Sequence, residues 1–163
     1  MNIEIQQPQP FDLVSSDILI AGNAVGFEGQ LSINITEGHA EANGTATVGA
    51  TSVRQFQTSI DVPPGTPFQL TRLFLTLADD TGGEDGVTPP QVTVPILYGP
   101  MILPGYTGYW NHVVEAGDTL TAISKRYFGD ASKVSVIQQA NQHIVPDANL
   151  IFVDQVLRIP RND

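Results

Sequence analysis

The sequence predicts two domains: an all-β sandwich over residues 1–98, then a small α+β unit of βααβ order over residues 112–161. Three observations carry that expectation. Short β-branched and aromatic runs, alternating with period two and separated by Gly or Pro, fill the first part. A Gly- and Pro-rich stretch, residues 99–111, then interrupts the pattern. Beyond it the apolar spacing lengthens to three and four residues between two strand-like ends.

Taken in order, residues 17–22 form an apolar run that stops at Gly22. Gln30–Thr36 alternates, which puts Leu31, Ile33 and Ile35 on one face and Ser32, Asn34 and Thr36 on the other. Residues 53–61 and 68–77 continue the pattern, and residues 91–97 close it. These short runs favour an antiparallel sandwich over any helical arrangement. The stretch 99–111 contains Pro100, Pro104, Gly99, Gly105 and Gly108, so it is expected to lack regular structure. Tyr109 and Trp110, the only Trp, are expected to pack where the domains join; an aromatic platform for a sugar ring is the alternative.

In the last third, residues 112–114 read as a first strand and Gly117-Asp118-Thr119 as the turn into a helix. Glycine tolerates that turn's backbone, and Asp118 or Thr119 can cap the orphan amides. Leu120, Ile123 and Tyr127 make one buried stripe, and Gly129-Asp130 ends the helix. A second helix starts near Ser132, turns Val134, Ile137 and Ala140 inward, and ends at Asn141 in a left-handed conformation. Val156, Leu157 and Ile159 form the return strand, terminated by Pro160.

Composition narrows the function. The net charge is −10, and residues 1–110 carry two basic against eleven acidic groups. That half repels phosphate backbones, which argues against nucleic acid, and it disfavours anionic membranes and teichoic acids. Cysteine is absent, which excludes disulfides, zinc–thiolate sites and thiol catalysis. No apolar run approaches the roughly 20 residues that cross a bilayer. The opening residues have neither a basic nor an apolar signal region, so no secretory signal is expected in this chain. Residues 78–86 form an acidic, glycine-rich loop without EF-hand spacing, read as a solvated loop, with calcium binding the lesser alternative. His39, His112 and His143 are scattered, so no metal site is expected. No nucleophile elbow or phosphate loop is present, no cofactor is expected, and a glycosidic carboxylate pair has no positive support.

The run from His112-Val113-Val114-Glu115-Ala116-Gly117-Asp118-Thr119-Leu120 to Leu157-Arg158-Ile159-Pro160 resembles the LysM module. That family is best known for binding N-acetylglucosamine polymers such as peptidoglycan and chitin. The resemblance implies a groove with Gly117, Asp118, Thr119 and Leu120 on one wall and Asn149, Leu150 and Ile151 on the other. Backbone groups there would bond the acetamido group, while Leu120 and Ile151 would enclose its methyl. Leu120→Arg or Ile151→Arg is then expected to abolish sugar binding and leave the sandwich folded. Capping and core packing ask for the same residue types at Asp118, Thr119, Asn141 and Leu150.

Three features depart from compact glycan-binding members. Asp154 stands where the family usually has glycine, and the loop 142–148 is long enough to narrow or cover the groove. Tyr127-Phe128-Gly129-Asp130 resembles a longer variant found in intracellular proteins, among them a potassium-binding protein and baseplate components of phage-like contractile injection systems.

The first domain resembles the immunoglobulin-like domain of bacterial spore-germination proteins. Ile5, Pro8-Gln9-Pro10, Val14-Ser15-Ser16, Ile20-Ala21-Gly22-Asn23-Ala24, Phe27-Glu28-Gly29 and Val92-Thr93-Val94-Pro95-Ile96 carry that resemblance, without the usual cysteine pair. The two resemblances together imply a non-catalytic protein that binds peptidoglycan or chitin-type glycan, with the sandwich as spacer or protein-contact domain. The alternative is a structural adaptor in a baseplate-like or spore-related assembly, the LysM surface then binding protein. Ion sensing is the third expectation. Without a signal, a cytoplasmic or assembly-associated place is expected, and a cell-wall place if a signal was removed.

Overall fold

Residues 2–79 and 89–163 are described by the structure, a computed structural model. Contacts divide the chain into two compact units, Met1–Tyr98 and Gly99–Asp163. Of the acidic loop considered for calcium, only Ala78 and Asp79 lie among the described residues.

The described part of the first unit holds strands β1 (Ile3–Gln7), β2 (Leu13–Val14), β3 (Asp17–Ala24), β4 (Gln30–Thr36), β5 (Glu41–Thr47), β6 (Arg54–Asp61), β7 (Arg72–Ala78) and β8 (Gln91–Tyr98). One sheet has the order β1-β3-β6 and the other β2-β8-β7-β4-β5. Their inner faces are built by alternation: Ile18 and Ile20 from β3, Leu31, Ile33 and Ile35 from β4, and Leu73, Leu75 and Leu77 from β7 are all at most 1% exposed. Among the described residues the strands pair antiparallel except at the short β2–β8 contact, which runs parallel, with Leu13 opposite Leu97, and an isolated parallel bridge joins Val25 to Gly49.

Alternation of large apolar residues does not reveal β5. Its inward positions are Ala42, Ala46 and Gly44, and a Cβ at Gly44 would lie 2.0 Å from the Ile60 Cδ1 of β6. The facing sheet supplies the bulk there, so β5 must be small. Beyond β4, Glu37 is 8% exposed and accepts hydrogen bonds from His39 Nδ1 (2.9 Å), Ala40 N (3.2 Å) and Gln69 N (3.3 Å). The His39 bond is the largest cause holding its carboxyl below the usual range. Residues 68–71, expected to begin a strand, are irregular, and β7 starts at Arg72.

The second unit contains helix α1 (Gly99–Ile102), strand β9 (Gly108–Val113), helix α2 (Leu120–Phe128), a 3-10 turn (Ala131–Lys133), helix α3 (Val134–Ala140) and strand β10 (Val156–Arg161). Residues 99–111 are therefore not an irregular tether: they hold α1 and most of β9, and Ile102 and Leu103 are buried. The first strand begins at Gly108 rather than His112.

β9 and β10 pair antiparallel, with His112 opposite Leu157 and Tyr109 opposite Pro160. Pro160 does not end the strand, and the ladder geometry explains why. Arg158 sends its N–H to Asn141 Oδ1 (2.8 Å) and its carbonyl accepts from Asn141 Nδ2 (2.7 Å), so its backbone faces away from β9. Two residues on, Pro160 faces the same way, and its missing N–H costs no ladder bond.

Against this sheet pack α2 and α3, burying Val114, Leu120, Ile123, Ile137, Val145, Leu157 and Ile159. Thr119 caps α2 by accepting from Ala122 N at 3.1 Å, and Gly129 closes it in the left-handed conformation at φ 68°. Asn141 is not left-handed (φ −126°). Fully buried, it donates to Ile137 O at 2.8 Å and clamps α3 to β10 through Arg158.

Candidate functional site

The turn between β9 and α2 and the loop before β10 enclose a cleft of about 320 Å³. Asp118, Thr119, Leu120 and Thr121 form one side, Ala148, Asn149 and Ile151 the other, and Val134 of α3 completes the lining. Five of the seven residues singled out in the sequence therefore meet here. Gly117 does not line the cleft: at φ 90° it lets the chain turn toward Asp118. Leu150 is 54% exposed and is neither core nor cleft wall.

Each wall has a local cause. Asp118 Oδ2 accepts from Glu115 N (2.9 Å) and from the His112 ring at Nε2 (2.9 Å). The Glu115 amide is the first cause and His112 the second of a carboxyl held below its ordinary range. His112 is buried and reaches the Tyr127 hydroxyl through Nδ1 at 3.2 Å. A linked chain of groups thus fixes the turn from inside the module. Thr119 spends its hydroxyl on the cap, so the amides of Leu120 and Thr121, which an α-helix cannot satisfy internally, open the helix at the cleft. Leu120 itself is 2% exposed and belongs to the core cluster. Leu120→Arg would therefore disrupt the module's packing, which disqualifies it as a selective test of binding.

On the opposite wall, Asp147 Oδ1 accepts from the backbone N (2.9 Å) and side-chain Nδ2 (3.1 Å) of Asn149. That turn leaves the Asn149 Oδ1 facing elsewhere as an acceptor. Ile151 is half-buried and packs on the core. From the loop 142–148 only Ala148 lines the cleft, while Val145 is fully buried. Thr121 escaped the sequence reading of the site, Val134 was expected only as an inward residue of the second helix, and Ala148 only as the end of the loop that could narrow the groove. Thr121 had a signal in its place, one step past the first helical residue beside a cap.

The aromatic residues serve elsewhere in the unit. Trp110 lies 5.8 Å from Tyr127 between ring centroids, and the Arg161 guanidinium sits 5.5 Å over the indole. Tyr109 is covered similarly by Arg158 at 5.7 Å. Tyr106 is pushed up to about 12, first by burial and then by Tyr109. Both indole neighbours belong to the same unit, and the ring, 38% exposed, lines a second cleft of about 280 Å³ with Tyr127, Phe128 and Arg161. Among the described residues no group of three or more His, Cys, Asp or Glu could hold a metal ion. No described helix is long and apolar enough to cross a membrane.

Comparison with known proteins agrees with these two units. The family model "LysM domain" matches residues 112–160. The model "Immunoglobulin-like domain of bacterial spore germination" matches residues 2–84, half of the chain. The potassium binding protein Kbp of Escherichia coli O6:H1 is 43% identical over 49 residues, which cover 30% of this chain and 33% of that protein. The chain thus spans about a third of that relative's length. No solved structure matches.

Proposed function

Starting from a chain that belongs to the family of the immunoglobulin-like domain of bacterial spore germination, and that carries a LysM domain at residues 112–160, we propose a non-catalytic glycan-binding protein. The ligand is an N-acetylglucosamine-containing glycan of peptidoglycan or chitin type, and the sandwich acts as spacer or protein-contact domain. The observation that carries this reading is the cleft itself. It joins the start of α2 to the loop at Asn149 and Ile151, and its size, about 320 Å³, falls at the small end of ligand sites. Its chemistry is mixed in the way an acetamido sugar requires. Helix-terminal amides of Leu120 and Thr121 offer donors, the Asn149 amide oxygen offers an acceptor, and Ile151, Val134 and Ala148 offer apolar surface for a methyl group. The seven residues Gly117, Asp118, Thr119, Leu120, Asn149, Leu150 and Ile151 keep distinct roles in this proposal. Gly117 shapes the turn, Leu150 flanks the cleft from outside, and the rest contact sugar.

The test uses exposed residues that the core does not need. Thr121→Arg should fill the cleft, and Asn149→Ala should remove its acceptor. Each is expected to weaken binding to chitin oligomers at least tenfold in calorimetric titration, with the thermal unfolding profile unchanged. Parent-like affinity in both variants would remove this cleft from the proposal.

The match to a protein named for potassium binding favours a second reading, in which the module responds to that cation. Titration with potassium chloride against sodium chloride at equal ionic strength separates it: only that reading predicts potassium-specific amide shifts.

A further inference from the structure

We propose that β9 is a docking edge for a second copy of this chain, joining two modules into one four-stranded antiparallel sheet of order β10-β9-β9-β10. In the second unit the sheet has two strands only. The outer edge of β10 is occupied, because Asn141 bonds both the N–H and the carbonyl of Arg158. The outer edge of β9 is different. Asn111 lies opposite Arg158, whose backbone faces outward, so this is a non-hydrogen-bonded pair and Asn111 also faces outward. By alternation the N–H and carbonyl groups of Tyr109 and Val113 face the same way. Among the described residues none of these six groups has a hydrogen-bond partner.

That edge lacks the usual protection. Strand edges are blunted by charged residues, proline or bulges, and Gly108–Val113 contains no charge and no proline. The three residues whose backbone faces outward, Tyr109, Asn111 and Val113, are also exposed.

The occupant follows from self-complementarity. A two-fold axis through Asn111 sets Asn111 opposite its own copy, and Tyr109 opposite Val113 on both sides. This register joins the outward-facing residues, so six backbone hydrogen bonds form without disturbing the β9–β10 ladder. It also creates two aromatic–β-branched cross-strand pairs, among the favourable kinds. Charge does not oppose it: residues 99–163 carry five basic and six acidic groups, whereas residues 1–98 carry two and eleven. The contact lies on the near-neutral unit of an otherwise strongly acidic chain. No residue of β9 lines the cleft at α2, so under the glycan-binding reading, on which the pairing itself does not depend, each dimer would present two clefts.

The experiment is sedimentation equilibrium of the full chain from micromolar to millimolar concentration, for the parent and two variants. Asn111→Pro removes the central outward N–H but no bond of the β9–β10 ladder, and Asn111→Lys places like charges face to face at the axis. The parent should reach twice 17.5 kDa, and each variant should dissociate at least tenfold more readily. Mixed labelled and unlabelled parent should give intermolecular NMR contacts between Tyr109 and Val113. If Asn111→Pro fails to fold, the Lys variant and these contacts decide. A parent that stays monomeric throughout, or a dimer unaffected by Asn111→Lys and lacking those contacts, overturns the proposal.

Discussion

At Asp118 one carboxylate oxygen holds the Glu115 amide and the His112 ring while the residue also lines the cleft. Its stability effect has a definite sign. The carboxyl is depressed in the folded state from the ordinary 3.8, first by the Glu115 amide and then by His112. A depressed acid stabilises the fold above its unfolded value and loses that contribution as pH falls through the folded value. The parent module should therefore melt at a higher temperature than Asp118→Asn near neutral pH. The gap should close as pH drops below 3.8 and on through the depressed folded-state value. Thermal unfolding followed by circular dichroism at several pH values measures this, and a gap that persists in acid would contradict it. Asn141 teaches a related lesson: it ends α3 as expected, its N–H bonded to Gln138 O, but without a left-handed backbone, and its fully buried side chain also bridges α3 and β10.

Elements dominated by large apolar residues were legible in the sequence, and elements dominated by small or backbone-directed ones were not. β4 falls at Gln30–Thr36 as its alternation predicts, because Leu31, Ile33 and Ile35 are large and all inward. β5 carried no such signal, since Ile60 from the facing sheet occupies the space at Gly44. Helix α2 was legible at both ends, through Thr119 and Gly129. The cleft was legible through the family resemblance, which implied its two walls; Thr121 joins it from the first turn of α2, Ala148 as the end of the loop 142–148, and Val134 through the packing of α3. Asp154 was noticed as a departure, and its φ of 68° gives the reason glycine suits that turn. Its N–H bonds Val114 O at 2.9 Å, so the turn is held in this conformation. Asp154→Gly should relieve the left-handed penalty and stabilise the module by about 0.5–1 kcal/mol, less than the full 1–2 kcal/mol because glycine gains unfolded-state entropy. Chemical denaturation of both forms checks it; a loss of stability would mean that the aspartate side chain contributes more than its backbone costs.

For the whole molecule, the distribution of charge sets the terms of any encounter with a cell wall. The first unit is strongly acidic and the second nearly neutral, so binding to an anionic polymer gains nothing from long-range attraction. Retention on intact, teichoic-acid-bearing walls should rise as salt shortens the Debye length from about 30 Å at 0.01 M to about 10 Å at 0.1 M. Pull-down across that range measures it, and a fall in retention would point to ionic attraction. Recognition would then rest on the cleft's short-range bonds, and the central claim is best tested there directly. The decisive measurement is NMR titration of the labelled full chain with chitin oligomers and soluble peptidoglycan fragments. Amide shifts concentrated at residues 117–121 and 149–151 are the predicted result. A folded protein whose amides there do not move at millimolar ligand would contradict glycan recognition by this cleft.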